Sequence, residues 1–136
     1  MKELKRIGVD LDGTLAKWFE DYVPDKIGEP IPEMVARVKR WLGCGHDVVI
    51  LTARVHPGDS EERRQEAEVS RAAIQKWCLE MFGRELEVTC MKDPMMIQIW
   101  DDRAVTVEQD TGRILTEGIC DEEIDQPDAL GELLGV

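Results

Sequence analysis

The chain has 136 residues, 43% of them hydrophobic, which is the size of one ordinary domain around one buried core and too short for two. Its formal net charge of −12 repels polyanions, so charge-driven binding to nucleic acid or to an anionic membrane is disfavoured, although a local basic pocket stays open. The N-terminal "MKELKRIGVDL" carries positive charge without an apolar stretch long enough for a secretory signal, and no window approaches the length of a membrane span. A soluble, cytoplasmic protein is expected. Cys44, Cys78, Cys90 and Cys120 are scattered, with no C-x-x-C pair and only His46 and His56 to join them. That argues against a zinc site or a disulfide framework and leaves reduced, structural thiols.

In chain order, Lys5 to Leu11 reads as a buried strand. Pro32 to Leu42 reads as an amphipathic helix with Val35, Val38, Trp41 and Leu42 on one face, stopped by Gly43 and Gly45. "DVVILT" is a second strand, apolar throughout as parallel strands covered on both faces tend to be. Asp59 is the expected N-cap, with Glu62 as its capping-box partner, of a long helix running to about Phe82 and stopped by Gly83. "LEVTCM" is a third strand and "IQIW" a fourth, and "AVTVE" and "RILT", joined through "QDTG", form an edge β-hairpin. From about residue 118 the tail is acidic and weakly patterned, either a short docked helix or partly disordered. The order strand, helix, strand, helix, strand predicts an α/β domain with a mainly parallel sheet, right-handed crossovers and helices on both faces.

In such a sheet, ligands bind beyond the carboxyl ends of the strands. The first strand ends in "VDLDGT", the second at Thr52, Ala53 and Arg54, the third at Lys92 and Asp93, and the fourth at Asp101, Asp102 and Arg103. Each end carries groups that are costly to bury alone. Asp10 and Asp12, one residue apart, repel unless something compensates, and a divalent cation resolves this. With no Cys or His among the converging groups, a hard, oxygen-binding metal is favoured, and Mg²⁺ suits a few carboxylates plus a substrate phosphate. Asp10 can then attack phosphorus and form an aspartyl-phosphate. Asp12 can protonate the leaving oxygen and later deprotonate water. Gly13 permits a sharp turn, Thr52 and Lys92 hold the other phosphoryl oxygens, and Asp101 and Asp102 complete the metal sphere.

The four ordered segments "VDLDGT", "ILTAR", Lys92 in "MKDP" and "WDDR" resemble the motifs of the haloacid dehalogenase-like (HAD-like) phosphohydrolases, a Mg²⁺-dependent family on a Rossmann-like sheet. The resemblance runs from about Ile7 to Arg103. It implies Asp10 as nucleophile, Asp12 as general acid/base, and Thr52, its neighbour Ala53, and Lys92 as phosphate binders, with Arg54 as the alternative cation. It also implies Asp101 or Asp102 as the metal carboxylate, and the metal bound by the carbonyl of Asp12 as well. Only "LAKWFEDYVPDKIGEP" separates the first motif from the next helix, so the chain looks like a capless member. Such open sites suit macromolecular phosphates, or small ones where a partner subunit in a homo-oligomer covers the site.

Trp18, Phe19 and Tyr22 have near-helical spacing that fits core packing better than a lid or a base-stacking surface. "EERRQEAE" reads as a solvated helix face with i,i+4 pairs. Two other functions compete. A phospho-receiver domain also gathers acids, a Thr and a Lys, but places its acidic pair and its phosphorylated Asp in another strand order. A non-catalytic binding module on the same fold is disfavoured by the presence of both Asp10 and Asp12.

Overall fold

Ile7 and Val9, Val48 and Ile50, and Val88 lie at alternate positions of three neighbouring strands and are all buried. Gly8 and Val49 between them are buried too, so β1 and β2 are covered on both faces, and continuous burial of branched residues draws these segments into a parallel sheet. The computed structural model describes residues 3–116. Its elements are β1 (Arg6–Val9), α1 (Pro32–Gly43), β2 (Asp47–Leu51), a 3₁₀ turn (Ala53–Val55), α2 (Glu61–Phe82), β3 (Glu87–Thr89), β4 (Met96–Trp100), β5 (Thr106–Val107) and β6 (Ile114–Thr116). β1 to β4 form a parallel sheet in the order β3-β2-β1-β4. This is a Rossmann-like α/β fold flanked by helices. The chain divides into two compact units, and the second begins at Asp102. Its described part holds the small antiparallel sheet of β5 and β6, where the hairpin was expected. The acidic tail and Cys120 lie outside the described residues.

α1 and α2 pack into one core with the strands. α1 contributes Met34, Val35, Val38 and Leu42, and α2 contributes Ile74 and Cys78. Each large side chain so buried is worth roughly 1.5–3 kcal/mol of transfer free energy. Trp41, expected on the buried face of α1, is only partly buried and packs against the ring of Trp100, with centroids 5.0 Å apart. α1 starts at Pro32 with no side-chain cap, since the missing proline N–H removes one of the donors a cap would serve. α2 is capped one residue later than expected. The side chain of Ser60, not Asp59, accepts from the Arg63 amide, and with Arg63 at the third helical position there is no capping box. Gly83 ends α2 in the left-handed conformation. The ion pairs of α2 are spaced i,i+3, not i,i+4: Arg64–Glu61, Arg63–Glu66 and Arg71–Glu68. Burial pushes the Cys78 thiol up to about 12, as suits a structural, unreactive residue. Among the described residues no helix is long and apolar enough to cross a membrane.

One connection differs from expectation. Residues 17–29 form no helix, and Trp18 is 61% exposed and Tyr22 49%, so these aromatics are not core. The stretch is instead a loop pinched at its base, where the Lys17 amide donates to the Glu29 carbonyl at 2.7 Å and the Ile31 amide to Leu15 at 2.9 Å. Gly28 lies so close under this pinch that a β-carbon would sit 1.9 Å from the Lys17 carbonyl oxygen. Periodicity failed here because these backbone pairings hold the segment extended at both ends. The return from β3 to β4 also carries no helix, and crosses in residues 90–95 alone.

Candidate active site

β1, β2 and β3 step across the sheet in one direction, whereas β4 lies on the other side of β1. The order therefore reverses between β1 and β4, the place where open α/β sheets form a crevice at their carboxyl ends. Asp10 and Asp101 follow the last residues of these two strands, joined by a 2.9 Å hydrogen bond from the Asp10 amide to the Trp100 carbonyl. One carboxylate oxygen of Asp10 lies within 4.8 Å of one of Asp101, and Asp102 is the next residue of the chain. Thr14 adds its hydroxyl, donating to Asp10 at 3.4 Å.

The turn after β1 wraps one carbonyl. The amides of Thr14, Leu15 and Ala16 all point to the Leu11 oxygen, and Gly13, at φ +89°, supplies the left-handed residue that closes the turn. Leu11, Leu15 and Ala16 are fully buried and anchor it. Asp12 is thereby fixed on the rim, where Arg54 meets it. Arg54 Nε donates to one Asp12 oxygen and Nη2 to the other, both at 2.7 Å. The Arg54 side chain is 4% exposed and that of Asp12 25%. The third arm, Nη1, donates to the carbonyls of Lys26 at 2.7 Å and Pro24 at 3.5 Å. The rings of Tyr22 and Phe19 lie 5.0 and 5.6 Å from the guanidinium carbon. Arg54 was expected as a phosphate-binding cation, and the structure engages all three of its nitrogens within the protein. The tying of Arg54 to the 17–29 loop was not foreseen. The available signal was an arginine three residues past the end of a buried strand, since buried charge demands partners.

Thr52, buried at the end of β2, accepts from the Arg54 amide at 3.2 Å, while its own amide donates to Thr89 at 2.8 Å. Ala53 is exposed at the start of the 3₁₀ turn, and its carbonyl accepts from Arg63 Nη2 at 3.3 Å. Lys92 is placed differently from the other expected site residues. It is exposed and stands one residue before Asp93, which opens the turn into β4 by accepting from the amides of Met95 and Met96. Asp93 also accepts from Arg6 Nε at 3.1 Å, and Arg6 begins the strand that Asp10 follows. The short crossing thus carries the chain toward the strand starts before Lys92 is passed. Arg6 gathers Asp47, Glu87 and Asp93 at 2.7, 2.5 and 3.0 Å. Partial desolvation pushes the Asp93 carboxyl up, but Arg6 and the two amides outweigh it and hold the group below the usual carboxylate range.

The donor set tests whether a metal fits. The Asp10 and Asp101 carboxylate oxygens, within 4.8 Å of each other and with no sulfur or imidazole in the group, repel one another and suit a hard divalent cation such as Mg²⁺.

No family model matches the sequence, and no curated protein matches it. Among solved structures, the chain is similar to a conserved protein coded by a locus from Bacteroides thetaiotaomicron, with 24% sequence identity, a TM-score of 0.52, and coverage of 90% of this chain and 86% of that one. The likeness shows the fold alone.

Proposed function

We propose that this chain is a Mg²⁺-dependent phosphatase of the HAD-like kind, hydrolysing a phosphate monoester through a phosphorylated Asp10. The observation that carries the reading is the approach of the Asp10 and Asp101 carboxylates at the sheet's point of reversal, with Asp12 fixed two residues further on. Asp10, Asp101 and Asp102 would hold Mg²⁺, with the Asp12 carbonyl as a further oxygen. When bound, the ion offsets the negative charge of the carboxylates and of the phosphoryl group.

In this reading an Asp10 oxygen bonds to phosphorus as the ester oxygen leaves, taking a proton from Asp12. Water deprotonated by Asp12 then cleaves the aspartyl-phosphate. Both oxygens of Asp12 accept from Arg54 in the observed arrangement, which suits the base half of that cycle, so proton donation requires one arm of the fork to open. Thr52 acts as an acceptor toward Arg54, which leaves its hydroxyl proton for a phosphoryl oxygen. We place the protein in the cytoplasm, where the free thiols of Cys44, Cys78 and Cys90 stay reduced.

Hydrolysis of 4-nitrophenyl phosphate tests the reading. Activity is expected with Mg²⁺, absent in chelator and absent in Asp10→Asn. Equal rates in all three would refute it, and phosphate binding without turnover would instead mark a non-catalytic module.

A further inference from the structure

Resting on the phosphatase reading, we propose that residues 17–29 are the substrate-selecting lip of the site. In this proposal Trp18 and Tyr22 receive a flat aromatic ring on the leaving group, which makes a nucleoside monophosphate the substrate class.

The loop's position follows from Arg54. The guanidinium that forks Asp12 spends its remaining nitrogen on the carbonyls of Lys26 and Pro24, so the loop lies one guanidinium away from the acid that serves the leaving oxygen. In this proposal the group that hangs from that oxygen meets this loop. The loop is also fixed in advance. Its base is pinched between Lys17 and Glu29, Ser70 Oγ on α2 donates to the Pro24 carbonyl at 2.8 Å, and the Tyr22 hydroxyl lies 3.4 Å from the same Ser70 oxygen. A preformed surface binds without the cost of ordering itself.

Its chemistry is aromatic. Phe19 is half-buried, and it and Tyr22 both lie against Arg54; Tyr22 nevertheless stays 49% exposed and Trp18 61%, with Val23 beside them. Such rings present large area at small entropic cost, and each base stacked on an aromatic side chain is worth roughly tenfold in affinity. Charge narrows the class further. Glu20, Asp21, Asp25 and Glu29 are exposed and outnumber the two lysines Lys17 and Lys26, so the loop disfavours a second phosphate and accepts an uncharged ring.

The test compares kcat/KM for adenosine 5′-monophosphate and for ribose 5-phosphate, which differ by the base alone, with Mg²⁺ present. The wild-type protein is expected to prefer the nucleotide by about tenfold or more. Trp18→Ala should bring the ratio near one through a raised nucleotide KM, and Trp18→Phe should restore most of it. A wild-type ratio near one, or a ratio unmoved by Trp18→Ala, would overturn the proposal. Should the wild-type protein hydrolyse neither compound, the phosphatase reading fails and the lip is judged by binding alone. Adenosine 5′-monophosphate should then quench tryptophan fluorescence in the wild type and not in Trp18→Ala, and no quenching in either would overturn it.

Discussion

Arg54 and Asp12, 42 residues apart, meet in a two-armed fork with both bonds at 2.7 Å. The pair joins the turn after β1 to the turn after β2, and through the Lys26 and Pro24 carbonyls it holds the 17–29 loop against both. A guanidinium is suited to this because its planar donors reach two carboxylate oxygens and still leave an arm for backbone, which an ammonium cannot do.

Removing Arg54 strands a partly buried carboxylate and two carbonyls. Arg54→Ala is expected to cost about 3 kcal/mol in urea unfolding. Arg54→Lys restores the charge without the fork and should recover less than half of that. A loss below about 1 kcal/mol would show that solvent replaces the fork at no structural cost.

Gly28 has no room for a side chain beneath the Lys17 carbonyl. Gly28→Ala must push the two loop arms apart and break the Lys17–Glu29 hydrogen bond, at an expected cost of about 3 kcal/mol. Thermal unfolding measures the loss, and hydrogen exchange should show the amides of residues 17–31 opening first. Unchanged stability would mean that the pinch is not rigid.

Acid should weaken the Arg6 cluster. The Asp93 carboxyl is held below its ordinary value in the folded protein, so the stability it contributes is complete above the unfolded pKa of about 3.9 and is lost as pH falls through the lower folded value. The unfolding free energy should therefore decline on acidification below about pH 4. The difference between wild type and Asp93→Asn should shrink over the same range. A difference that stays constant with pH would remove Asp93 from the cluster's acid response.

The sheet was legible in the sequence because buried parallel strands are written as short branched runs, and "RIGV" and "DVVIL" are such runs. The long helix was legible in its length and in Gly83. The cap slipped by one residue because Asp59 and Ser60 are both good caps and only the chain's path chooses between them. The Asp10 and Asp101 rim was legible because polar groups directly after apolar strands mark the carboxyl edge. Lys92 was harder to place, because no local signal says at which residue the short crossing of 90–95 leaves the carboxyl edge. The Trp18 segment defeated periodicity for another reason: its conformation is set by backbone bonds to Glu29 and Leu15 that side-chain spacing does not encode.

The central claim is that Asp10 is phosphorylated during turnover. Rapid acid quenching of the Mg²⁺-loaded protein with a ³²P-labelled monoester, followed by peptide mapping, tests it most directly. A hydroxylamine-labile phosphoryl group is expected on the peptide containing residue 10, lost in Asp10→Asn. Steady release of phosphate with no label on that peptide would contradict it.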